Sequence, residues 1–146
     1  MYYFRMLKLE SLLPWLLLLL LLAGRIEFGG ADIGTASQYV PPYAPTACFG
    51  SDYWRFPTSN LFAAAGEGIW ENGAACGRKY VVRCISGPAA QSCVEGMTIP
   101  ITIVDRAQTS VSRPSRSGTT LVLSNTAFQT IANPTVPYLN VEFQQI

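Results

Sequence analysis

The sequence predicts a mainly β domain with two short helices, preceded by an export signal. Nine glycines and nine prolines interrupt residues 32–146, and long stretches of apolar residues at helical spacing are nearly absent there. Between these turn residues lie short segments rich in β-branched and aromatic side chains, which favour strands. The length of this part suits a single domain.

Residues 1–31 are predicted to be a secretory signal peptide. Eleven of the fifteen leucines lie in the first 22 residues, seven of them in the run 16–22, and basic Arg5 and Lys8 precede that run. Small residues stand just before Asp32, as a cleavage site requires. An uncleaved anchor is the alternative, but a bilayer core needs about 20 apolar residues. We therefore expect residues 32–146 to be exported and to lack a membrane span.

In residues 32–146 the composition predicts five strands and two helices. The strand segments are rich in Val, Ile, Thr, Tyr or Phe and lie at residues 34–40, 79–85, 98–104, 120–123 and 139–143. The first helix is predicted over 59–70, because the run SNLFAAA has a helical composition. The second is predicted over 124–132, where Ser124 suits the N-cap and Ala127, Phe128 and Ile131 form an apolar stripe.

Charge and composition exclude several classes of function. The chain has 10 Lys+Arg, 9 Asp+Glu and no histidine, and the seven basic and seven acidic groups of residues 32–146 balance. This balance gives no basic surface for nucleic acid. Without histidine there is no His-ligated metal and no Ser-His-Asp triad, and no C-x-x-C spacing is present. We expect no metal and no cofactor.

The four cysteines Cys48, Cys76, Cys84 and Cys93 all lie in the exported part. In a secreted chain an even number of cysteines indicates disulfides, here two. Spacing alone leaves three possible pairings.

Three features are candidates for a site. Asp105 follows an apolar strand, where it either faces a binding rim or caps a turn or pairs with Arg106. A basic loop containing Arg113 and Arg116 either touches an anionic polymer such as pectin or is simply solvated. The aromatic residues after the first strand form either a sugar-stacking platform or core, and they are Tyr39, Tyr43, Phe49, Tyr53, Trp54 and Phe56.

Six ordered segments together resemble one family. They are residues 34–39 (GTASQY), 47–50 (ACFG), 70–77 (WENGAACG), 80–84 (YVVRC), 103–106 (IVDR) and 123–132 (LSNTAFQTIA). Each is similar to the corresponding block of expansins and plant natriuretic peptide-like proteins. The resemblance covers residues 33–146.

The resemblance implies a six-stranded double-psi β-barrel with Cys48 bonded to Cys76 and Cys84 to Cys93. Related endoglucanases carry a His-Phe-Asp motif before Leu-Ser, whereas here these positions read Thr120, Leu121 and Val122. Valine cannot donate a proton, and inverting hydrolysis needs both an acid and a base. We therefore expect no catalytic residue and no enzyme, with residual hydrolase or lytic transglycosylase chemistry at Asp105 as a weaker alternative.

The resemblance also implies the function. We expect a secreted apoplastic protein that acts as an extracellular signal in water and solute homeostasis or stress response, through the segment from about Pro45 to Gly77. The alternative is a module that binds cell-wall polysaccharide without hydrolysing it, in a groove lined by Thr35, Tyr39 and Asp105. The expected partner is a cell-surface receptor or a wall polysaccharide, and the expected state is a monomer.

Overall fold

The computed structural model describes residues 12–21, 30–107 and 118–146. Two compact units are present, Met1–Gly30 and Ala31–Ile146. In the first, residues 12–21 form helix α1, and no helix among the described residues is long and apolar enough to cross a membrane. The rest of the predicted export signal before residue 30, and the Arg113/Arg116 loop, lie outside the described residues.

The second unit is a closed barrel of six strands, as the family resemblance implies. Its helices are α2 (Glu67–Trp70) and α3 (Asn125–Ile131), with short 3-10 helices at Tyr53–Arg55 and Glu71–Gly73. Its strands are β1 (Asp32–Tyr39), β2 (Phe62–Ala65), β3 (Lys79–Ser86), β4 (Thr98–Arg106), β5 (Leu121–Ser124) and β6 (Leu139–Gln145). The mainly β prediction is confirmed.

Neighbouring strands in the barrel follow the order β1-β5-β2-β4-β3-β6, and β6 returns to β1. The pairs β1 with β5 and β2 with β4 are parallel, whereas the other four pairs are antiparallel. Because the sheet closes on itself, no strand is left as an unpaired edge among the described elements.

The helix predicted over residues 59–70 is wrong for most of its length. Residues Phe62–Ala65 form β2, whose four side chains are all buried, and the helix is restricted to Glu67–Trp70. Pairing of β2 with both β4 and β5 outweighs the modest intrinsic preference of alanine for helix. Gly66 separates strand from helix at a close approach, since a Cβ there would lie 2.2 Å from the carbonyl oxygen of Thr119.

The second predicted helix is confirmed as α3. The Ser124 hydroxyl accepts a hydrogen bond from the Ala127 backbone N–H at 3.2 Å, which satisfies one free donor of the first turn. The three apolar residues of the expected stripe are all buried. This stripe packs α3 onto the barrel.

The core consists of two clusters on opposite faces of β2. Ala63 and Ala65 belong to the larger cluster, which contains among others Ile101, Leu123, Phe128, Leu139 and Val141. Phe62 and Ala64 belong to the smaller cluster, which also contains Tyr39, Val104, Ala107 and Val122. The alternation follows from the two-residue period of a strand, and it places Tyr39 and Val122 in the same apolar environment.

Both disulfides that the resemblance implies are present. Cys48 is bonded to Cys76 across 28 residues, and Cys84 is bonded to Cys93 across 9 residues. The first bond ties the loop after β1 to the segment that precedes β3. The second closes the segment that links β3 to β4.

Removing the disulfides should destabilise the protein unequally. In the chain-entropy model the longer loop contributes more, so replacing Cys48 and Cys76 by serine should cost about 3 to 4 kcal/mol, against about 2 to 3 kcal/mol for Cys84 and Cys93. Urea unfolding of the two double-serine variants and the oxidised parent measures this difference. Equal losses, or the reverse order, would contradict it.

Candidate functional site

Strand β1 carries a row of three polar side chains on one face, Thr35, Ser37 and Tyr39, because alternate residues of a strand point the same way. The backbone N–H of Thr35 donates to the Thr120 hydroxyl at 3.1 Å, and the N–H of Thr120 donates to the Thr35 hydroxyl at 3.3 Å. The hydroxyls of Ser37 and Thr119 are 3.1 Å apart. These bonds fasten β1 to the residues just before β5.

Asp105 lies near the end of β4 with a fully buried side chain. Its Oδ1 accepts hydrogen bonds from the backbone N–H groups of Ala47 and Arg106, both at 2.8 Å. Bonds from N–H groups to a carboxylate are charge-assisted and roughly twice as strong as neutral ones. The carboxylate therefore holds the loop after β1 against the end of β4.

The side chain of Arg106 forms an ion pair with Glu67. Its Nε and Nη2 donate to the two carboxylate oxygens at 2.7 and 3.0 Å, and its guanidinium lies over the Trp70 ring. The hydrogen bonds from Arg106 lower the pKa of Glu67, and those to Glu67 raise the pKa of Arg106. Asp105 thus accepts a hydrogen bond from the backbone N–H of Arg106, as a turn cap does. The guanidinium of Arg106 bonds to Glu67.

Tyr39 is the last residue of β1, and only 1% of it is exposed. Its ring packs edge to face on that of Tyr43, with centroids 4.8 Å apart. Burial raises the pKa of Tyr39 far above its ordinary value, and the nearby charge of Asp105 raises it further. The Tyr39 hydroxyl is therefore neutral, and it has no hydrogen-bond partner among the described residues.

The three predicted groove residues are thus only partly brought together. Tyr39 and Asp105 are close enough for the charge of one to affect the pKa of the other, whereas Thr35 lies about 13 Å from Tyr39 along β1 at the usual rise per residue. The side chains of Tyr39 and Asp105 are buried, so neither presents a surface to solvent. The assignment of these three residues to a polysaccharide groove stays a prediction.

Val122 stands where the family resemblance places the acid of related endoglucanases. It lies in the smaller core cluster beside Tyr39, Phe62 and Val104. It is 1% exposed, and its neighbours on the adjacent strands are Ser37 and Ala64. An apolar side chain in an apolar cluster supplies neither a proton nor a charge.

No second carboxylate joins Asp105 in the interior, where it is the one buried acid among the described residues. Four other described acids pair with arginines instead, in the ion pairs Asp52–Arg55, Glu71–Arg78, Glu142–Arg83 and Glu67–Arg106. Within the described ranges no group of three or more potential metal ligands occurs. Among the described residues, no second buried carboxyl group therefore faces Asp105.

Sequence reasoning missed two side-chain hydrogen-bonding roles in the loop after β1, those of the Tyr43 and Thr46 hydroxyls. The Tyr43 hydroxyl lies 3.0 Å from Asn125 Oδ1 and accepts a hydrogen bond from the Asn125 N–H. The Thr46 hydroxyl accepts from the Phe49 N–H at 2.9 Å. A threonine whose hydroxyl can accept from the N–H three residues later is a local turn signal, so Thr46 could have been found from the sequence. The contact of Tyr43 with α3 joins residues far apart in the chain, and no local pattern predicts it.

Comparison with known proteins finds similarity along most of the chain. A family model described as "Lytic transglycolase" matches residues 63–143. An EG45-like domain containing protein of Citrus jambhiri is 36% identical over 118 residues, which are 79% of this chain and 82% of that one. The EG45-like domain containing protein 2 of Arabidopsis thaliana is 34% identical over 115 residues, or 77% and 79% of the two chains.

Two solved structures share the fold. The apo crystal structure of an expansin from Clavibacter michiganensis superposes with a TM-score of 0.55 at 17% identity. A point mutant of that expansin, in complex with cellohexaose, superposes with a TM-score of 0.57 at 18% identity. In both comparisons the match covers 80% of this chain and 50% of the expansin chain, so this chain corresponds to half of the expansin.

Two substitutions of Tyr39 should separate its packing from its hydroxyl. Tyr39→Ala should cost about 3 to 5 kcal/mol, as removal of a buried aromatic ring does. Tyr39→Phe keeps the ring and removes a buried hydroxyl that lacks a partner among the described residues, so its stability should equal or exceed that of the parent. Thermal and urea unfolding measure both, and a large loss in Tyr39→Phe would reveal a bond of the hydroxyl.

Proposed function

This chain belongs to the family of EG45-like domain-containing proteins, and on that premise we propose that it is a non-enzymatic signal in water and solute homeostasis or stress response. It is an expansin-related protein, and its two disulfides fit the oxidising extracellular compartment. Residues 1–31 are its export signal, removed before Asp32, and the secreted form is a monomer in the apoplast.

The observation that supports a role other than catalysis is the apolar side chain of Val122. Glycoside hydrolysis in the usual mechanisms needs two carboxyl groups that flank the scissile bond, and here the second position is valine in an apolar cluster. Asp105 is buried and bonded to two backbone N–H groups. A carboxylate held in this way stabilises the loop after β1.

The surface proposed to carry the signal lies within the segment from Pro45 to Gly77. Cys48 and Cys76 close this segment into a loop, while the side chains of β2 in its middle are buried in the barrel. What remains for a receptor is the exposed part on either side of β2. We therefore expect the signal to require the folded, oxidised barrel and not the linear segment.

A second candidate function is polysaccharide binding without hydrolysis, through Thr35, Tyr39 and Asp105. Its support is the expansin with the same fold that is described in complex with cellohexaose. The buried side chains of Tyr39 and Asp105 are less favourable to it, because a sugar would have to displace the loop after β1 to reach them.

The signalling role predicts a cellular response to the purified protein. Oxidised protein applied to plant protoplasts should change cell volume and ion flux in a dose-dependent manner. The variant with serine at Cys48 and Cys76 is the matched control, and it should be weaker because the segment between them is no longer closed. Absence of a response at any dose of well-folded protein would refute the signalling role and favour the polysaccharide candidate.

The non-enzymatic assignment predicts that no reducing ends are released from soluble glucans or xylans above the level of a heat-inactivated sample. A sensitive reducing-sugar assay with long incubation measures this. Asp105→Asn is the informative variant, because it removes the buried charge with little change in shape. Release by the parent that is lost in Asp105→Asn would overturn the assignment and establish catalysis at Asp105.

A further inference from the structure

The aromatic side chains after β1 divide into an inner layer, packed on the core, and an exposed layer. In the inner layer the half-buried Tyr43 ring packs on the buried rings of Tyr39 and Phe62, with centroids 4.8 and 4.7 Å away. In the exposed layer Tyr53 is 61% and Trp54 is 96% exposed. The sequence left the choice between core and platform open, and the structure assigns the first layer to the core.

The two exposed rings belong to the 3-10 helix Tyr53–Arg55, which we call the aromatic turn. The backbone N–H of Trp54 donates to Asp52 Oδ1 at 3.2 Å, and this bond caps the start of the turn. The following residue, Phe56, packs its ring against Phe62 of β2 with centroids 4.9 Å apart. The backbone of the turn is therefore anchored to the barrel by a core contact, while the rings of Tyr53 and Trp54 are left exposed.

The almost fully exposed indole of Trp54 is a candidate contact for a ligand. Among the described residues of the barrel unit no other large apolar side chain is as exposed as Trp54. A tryptophan exposes a large, mostly apolar surface, and neighbouring exposed aromatic residues commonly mark a contact site. Tyr53, next to it in the same turn, adds a second ring.

The surroundings of the turn favour an uncharged ligand. The charged neighbours are Asp52 and Arg55, which pair with each other at 3.8 Å, and the Arg55 guanidinium lies 5.4 Å from the centroid of the Phe49 ring. The charges thus compensate one another locally, as they do over residues 32–146 as a whole. Among the described residues, an anionic polymer would find no excess of positive charge at this turn.

The small aromatic area of the turn favours a sugar chain over a protein partner. The negative face of an aromatic ring attracts the positively polarised C–H groups on the flat side of a pyranose. Two rings offer roughly 150 to 250 Å² each, whereas a stable protein interface needs about 800 Å² per partner. The polar atoms of Asp52 and Arg55 beside the rings suit sugar hydroxyls.

We infer that the aromatic turn is a stacking site for a neutral, pyranose-based polysaccharide, with Trp54 as the main ring and Tyr53 as the second. This site is separate from the Tyr39 and Asp105 position of the second candidate function. It does not depend on the proposed signalling role, because a secreted signal can also be retained on a wall polymer.

The test compares binding of purified, oxidised protein to insoluble cellulose and xylan and to soluble gluco- and xylo-oligosaccharides. Trp54→Ala should weaken binding by about tenfold or more, and Trp54→Phe, which keeps a flat ring, should fall between it and the parent. Tyr138→Ala is the matched control, since Tyr138 is 43% exposed and lies outside the turn. Unchanged thermal unfolding of Trp54→Ala verifies that its fold is intact.

Four outcomes would overturn the inference. In the first, Trp54→Ala binds as well as the parent, and in the second, binding is lost in Tyr39→Phe but kept in Trp54→Ala. In the third, the parent binds only polygalacturonate, and this binding falls with salt. In the fourth, the parent binds no glycan. Loss of the protoplast response in Trp54→Ala without any glycan binding would assign the turn to a protein partner instead. The protoplast response of the parent protein is measured without any glycan-binding step, so failure of the site and failure of the signalling role are distinguishable.

Discussion

Closure of the barrel is the constraint on which the other features of this structure depend. Strand β1 pairs with β5 on one side and β6 on the other, and short β2 is held between β4 and β5. Each backbone donor and acceptor of an internal strand needs a partner, so the strand order fixes which residues become neighbours. Tyr39 at the end of β1 and Asp105 near the end of β4 come together for this reason, although 65 residues separate them in the chain.

The loop between β1 and β2 is then fastened to the barrel by four kinds of contact. Asp105 accepts the Ala47 N–H, Cys48 is bonded to Cys76, Tyr43 contacts Asn125 of α3, and Phe56 packs on β2. A hydrogen bond to a charged acceptor, a covalent bond and partly buried rings restrict the loop at successive points. The Asp105 side chain holds this loop in place through the Ala47 N–H.

Two features of this barrel bear on the proposed recognition roles. One is a rigid frame stapled by disulfides, and the other is a loop that displays two aromatic rings to solvent. Binding benefits from such preorganisation, because a loop whose backbone is already fixed loses less entropy on contact. Val122 is buried in the interior of this barrel, whereas Trp54 is exposed at its surface.

The sequence by itself determined the mainly β class, the position of α3 from its cap and apolar stripe, and the absence of histidine chemistry, because these depend on composition and local periodicity. Its resemblance to a family supplied the strand number and the disulfide pairing. Only the tertiary structure decided that Phe62–Ala65 is a strand, since pairing on both sides outweighs alanine's helical preference. It alone also separated buried Tyr39 from exposed Trp54, because burial depends on which distant segments cover a side chain, and adjacent aromatic residues look alike until the chain has folded.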